Sequence, residues 1–74
     1  MDFALYGERG LVAIEVKRAS VFRDADLSPL RLFVRDYPMA RPFLFYGGTR
    51  AYEVDGIKVL PLTTALPQLA DLLS

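Results

Sequence analysis

The chain contains no cysteine, no histidine and no tryptophan. Without cysteine or histidine there is no disulfide framework, no Cys/His zinc site, and no Ser-His-Asp or Cys-His triad. Charge of one sign is also missing. Nine Lys+Arg balance nine Asp+Glu to a formal net charge of zero, so no overall basic field draws nucleic acid or anionic lipid. No apolar run approaches the roughly 20 residues of a membrane span. Asp2 precedes the first apolar stretch, where a secretory leader would carry a basic head. No membrane association is expected, and the cytoplasm is the default compartment. No Gly-x-x-x-x-Gly-Lys-Ser/Thr loop occurs either, so there is no nucleotide-binding motif.

What remains is 74 residues that are 53% hydrophobic. That length allows one domain, residues 1–74, at the lower edge of what a single core can stabilise. It is too apolar for a disordered segment and has more apolar surface than so small a body easily hides. Self-association, or membership of a larger assembly, is the expected remedy.

Residues 2–6 and 11–17 are strand-like runs around Gly7-Glu8-Arg9-Gly10, which predicts a hairpin. From Asp24 to about Asp36, Leu27, Leu30, Phe33, Val34 and Tyr37 recur at helical spacing. Pro29 fits that helix at its first position after Ser28, or within the first turn if Asp24 or Asp26 caps it. Pro38 ends it. Residues 41–46, RPFLFY, form a nearly continuous apolar run before Gly47-Gly48, as expected of a central strand covered on both faces. Residues 51–54 and 57–60 flank Asp55-Gly56, the pair suited to a type I′ turn, with Glu53 facing Lys58. Thr63 or Thr64 is expected to cap a last helix running to Leu73, with Pro67 in its opening turn. The fold class is therefore α/β (α+β), a small mixed sheet flanked by helices in the order β-β-α-β-β-β-α.

The first hairpin carries the chemistry. Phe3, Leu5, Val12, Ile14 and Val16 alternate at period two and should share the core face. The other face then holds Asp2, Ala4 and Tyr6 beside Leu11, Ala13, Glu15 and Lys17. With the hairpin centred between Glu8 and Arg9, Asp2 lies opposite Glu15, their Cβ atoms about 5 Å apart. A bulge at Gly10 would slip the register by one, at the cost of turning one apolar set away from the core. Two adjacent carboxylates repel unless a cation sits between them, and Mg²⁺ suits such hard oxygen donors. Lys17 would orient or help deprotonate a metal-bound water, or offset charge on a phosphate. Taken alone, Glu-x-Lys in a strand is an ordinary same-face ion pair on a solvated surface.

Asp2 followed by Glu15-Val16-Lys17, in the setting DFALYGERGLVAIEVKRAS, resembles the Asp…(Asp/Glu)-x-Lys signature of the PD-(D/E)xK nuclease superfamily. From the hairpin through the helix to FLFYGG and DGIKVLPL, the whole chain is similar to the end of the nuclease-like C-terminal domain of prokaryotic AAA-type ATPases. The resemblance implies a restriction-endonuclease-like core, with Asp2 and Glu15 as metal ligands and Lys17 as the catalytic lysine. Mg²⁺ would be the cofactor, DNA the substrate and an ATPase a partner protein. The superfamily core begins with a helix and a strand ahead of its Asp, and here Met1 immediately precedes Asp2. The chain thus reads as the last portion of a larger domain. The strand left unpaired would invite its counterpart from a second copy, giving a homodimer by sheet extension.

Arg18, beside the motif, and Ser20, three residues past Lys17, are further candidate nucleic-acid contacts. The other arginines are scattered over three elements and read as solvated surface, and the four tyrosines as core edges. The alternative to a metal-dependent nuclease is a non-catalytic oligomerisation or interaction module retaining the same fold.

Overall fold

A computed structural model describes residues 2–7 and 10–73, with the backbone alone at 72 and 73. Glu8 and Arg9, the centre of the expected first turn, lie outside these residues. The strands are β1 (Phe3–Gly7), β2 (Gly10–Lys17), β3 (Arg41–Tyr46), β4 (Tyr52–Val54) and β5 (Ile57–Pro61). The helices are α1 (Ser28–Asp36), α2 (Leu62–Ala65) and α3 (Leu69–Leu73), with 3₁₀ turns over Asp24–Leu27 and Leu66–Gln68. One mixed sheet has the order β1-β2-β3-β5-β4. The β1–β2 and β4–β5 pairs are antiparallel, while β3 runs parallel to both β2 and β5.

The hairpin register is the one the apolar alternation demands: Phe3 pairs with Ile14, Leu5 with Val12 and Gly7 with Gly10. No one-residue slip occurs. At the second hairpin, Asp55 has φ 52° and Gly56 φ 79°. Both central positions are left-handed, as a type I′ turn requires, and Glu53 pairs with Lys58.

Both faces of the sheet are covered, a departure from the single core face expected at the hairpin. On one side Leu27 and Leu30 pack on Ala13, Leu44, Ile57 and Val59. On the other, Val12, Ile14, Phe43 and Phe45 meet Ala65, with Leu62 and Leu69 alongside. Leu11 and Ala13, assigned from the sequence to the outer face, are therefore buried. Phe3, assigned to the core, is 51% exposed, because β1 is an edge strand. The parallel β2–β3 connection explains the second layer. A parallel return needs a crossover, and the segment carrying α1 lies over the face it crosses.

Two helix boundaries differ from expectation. α1 starts at Ser28 with Leu27 at its N-cap position, so Pro29 sits in the opening turn without Asp24, Asp26 or Ser28 as cap. The last helix begins directly after β5, with Pro61 rather than Thr63 or Thr64 at its N-cap position. It is not continuous. Pro67 lies in the 3₁₀ turn between α2 and α3, because a proline has no N–H for an i→i−4 bond and its ring crowds that carbonyl.

A candidate acidic and basic cluster at the carboxyl end of β2

Glu15 and Lys17 alternate with the core-facing Ala13, which puts them on the side of the sheet covered by Leu27 and Leu30. Their parallel neighbours are Leu44 and Tyr46 on β3. Glu15 is half-buried and its Oε2 is sealed from solvent. Continuing the β1–β2 ladder one step past Phe3 and Ile14 sets Asp2 against Glu15. Asp2 is exposed, and its Oδ2 accepts a hydrogen bond from the Val16 N–H at 2.7 Å. That bond pins the start of β1 to β2 and leaves Oδ1 out of the contact.

Lys17 is drawn to a third carboxylate. Its Nζ donates to Asp26 Oδ2 at 2.6 Å, with the two side chains 31% and 26% exposed. The same oxygen accepts from the Arg23 N–H at 2.7 Å. Asp26 thereby closes the first turn of the 3₁₀ segment and holds the lysine. The Lys17 hydrogen bond, then that from the Arg23 backbone, hold its carboxyl below the ordinary carboxylate range. The sequence reading missed this role. Asp26 stands three residues after Arg23, a capping spacing, but nothing local indicates that Lys17 would reach it.

A second clamp ties the same crossover to the far hairpin. Arg31 grips both carboxylate oxygens of Asp24, at 3.1 and 2.7 Å, and Asp55 Oδ2 at 2.8 Å. The Arg31 guanidinium holds the Asp24 carboxyl below its ordinary range.

Arg18 and Ser20 follow directly, both exposed. Gly47 packs against this exit: its N–H donates to the Ala19 carbonyl at 2.9 Å, and a Cβ there would overlap the Arg18 carbonyl oxygen. Gly47 thus serves the exit of β3 by close approach to the backbone that leaves β2. Beside it, Phe22, Tyr46 and Tyr52 gather with centroids 5.4 to 6.4 Å apart. Tyr46 is buried, but Tyr6, Tyr37 and Tyr52 are 79%, 47% and 44% exposed, more open than core edges.

Carboxylate oxygens are hard donors of the kind Mg²⁺ accepts, with water filling the remaining positions; Asp2 offers Oδ1, its Oδ2 being held by the Val16 N–H. Among the described residues, no three Asp, Glu, His or Cys side chains group as a metal cage. Any cation here would be held by Asp2 and Glu15 and mostly hydrated.

The family described as a domain of unknown function, DUF4143, matches residues 1–65, and the chain belongs to it. No curated protein and no solved structure matches the chain.

Proposed function

We propose that this DUF4143 domain is a nuclease-like module of the PD-(D/E)xK type, with a restriction-endonuclease-like core. Asp2 and Glu15 hold one Mg²⁺, and Lys17 faces the phosphate of a bound DNA strand. The observation that supports this is the unslipped register of β1 on β2, Phe3 against Ile14, which extended by one residue puts Asp2 at the level of Glu15, with Lys17 two residues on. The cation supplies Lewis acidity and an activated water when bound. The chain's own contribution is positional. Asp2 is fixed by Val16, Lys17 by Asp26, and the ammonium offsets negative charge at the phosphate. Arg18 and Ser20 extend the contact. An ATPase is the partner protein the sequence resemblance implies, and the cytoplasm the compartment.

A second reading has its own support. One oxygen of Asp2 is used by the Val16 N–H and the Lys17 ammonium by Asp26, so the cluster also serves to lock the crossover onto the hairpin. On that reading the fold is a non-catalytic interaction module, with homodimerisation through the β1 edge beside the exposed Phe3. Calorimetric titration with Mg²⁺ and Mn²⁺ separates the two. The nuclease-like reading expects binding by the native chain and none by Glu15→Ala. Equal, negligible binding by both leaves the interaction module.

A further inference from the structure

We infer that the aromatic pocket beside Lys17 is a stacking site for one base of a single-stranded nucleic acid. This deepens the proposed function by naming the form of its ligand, and it rests on that reading only for the phosphate. The pocket holds about 270 Å³ and is lined by Ser20, Val21, Phe22, Tyr46 and Tyr52. Its base is rigid. Tyr46 is buried and donates its hydroxyl to the Arg50 carbonyl at 2.7 Å, and Phe22 meets it edge-on at 83°. Its rim is open, with Val21 70% and Tyr52 44% exposed. A flat ring entering there meets the Tyr52 ring, with the Ser20 hydroxyl at the margin as a hydrogen-bonding group.

Three features select the ligand. Stacking on an aromatic side chain accepts any base, since every base has a π-face. The pocket abuts the candidate phosphate site, because Tyr46 is the direct β3 neighbour of Lys17. Positive charge is at hand: Arg18, Arg23 and Arg50 are exposed around this end of the sheet, against the exposed Asp2, while Asp24 and Asp26 are engaged by Arg31 and Lys17. A base inside a duplex cannot offer its face to Tyr52, while one in a single strand can. The cluster is not legible in the sequence, because Phe22, Tyr46 and Tyr52 come from a loop and two strands that only the fold brings together.

The test uses the full chain, EDTA, and a fluorescein-labelled oligothymidylate followed by anisotropy. The native chain should bind it, with quenching of tyrosine emission, which no tryptophan masks. Tyr52→Ala should weaken binding by about 5- to 100-fold, Tyr52→Phe should restore it, and Tyr6→Ala, away from the pocket, should leave it unchanged. Absent binding, equal affinity of Tyr52→Ala, or duplex or mononucleotide binding as tight as the oligomer would each overturn the inference. EDTA keeps the outcome separate from the metal reading: loss of Mg²⁺ binding alone leaves the stacking site standing, and loss of Tyr52 dependence alone leaves the metal site.

Discussion

Lys17 and Asp26, nine residues apart, are joined by a 2.6 Å hydrogen-bonded ion pair that ties the end of β2 to the 3₁₀ turn before α1. Asp26 accepts two donors through one oxygen, and Lys17 is held two residues from Glu15 on the same strand face.

This pair predicts a particular acid response. The Asp26 and Asp24 carboxyls lie below their ordinary range because of Lys17 with the Arg23 backbone, and of Arg31. A lowered folded-state pKa means the unfolded chain takes up protons first. The stabilisation is complete above the ordinary carboxylate range, about pH 4, and is lost as pH falls through it. Urea midpoints should therefore fall below about pH 4, and Asp26→Asn should lower the neutral-pH midpoint while flattening the acid limb. An unchanged acid limb in Asp26→Asn would remove Asp26 from this role.

Gly47→Ala should destabilise the fold by about 1–3 kcal/mol, the range for forced overpacking, since the new Cβ overlaps the Arg18 carbonyl oxygen. Urea denaturation measures it. A variant of native stability would mean that the exit of β2 gives way easily.

Leu30 is fully buried under the crossover and Leu32 is 52% exposed on the same helix. Leu30→Ala should cost about 2–5 kcal/mol, enough to unfold much of so small a domain. Leu32→Ala should stay within about 0.5 kcal/mol of native. Similar losses at both positions would contradict the assigned face of α1.

Much of this is legible in the sequence where a local rule decides. The β1–β2 register matches the one read from five apolar residues at period two, although the single buried face assumed for it does not hold, since Leu11 and Ala13 on the other face are buried too. The β4–β5 turn follows from Asp55-Gly56, which tolerate positive φ. The placement of β5 between β3 and β4 is not local, and neither is the helical layer over Glu15 and Lys17. The break at Pro67 was not legible: a continuous helix with Pro67 in its opening turn is what the sequence predicts, and the proline falls later because α2 starts directly after Pro61. At the candidate site, Asp2, Glu15 and Lys17 could be proposed from strand alternation. Asp26 could not, since its pairing with Lys17 depends on the path of the intervening loop.

The cation site between Asp2 and Glu15 is the central claim, and Mn²⁺ titration followed by amide NMR tests it most directly. Paramagnetic broadening should begin at the amides of Glu15 and Val16, spare the β4–β5 hairpin, reverse with excess Mg²⁺, and vanish in Glu15→Ala. Broadening centred elsewhere, or unaffected by Glu15→Ala, would contradict it.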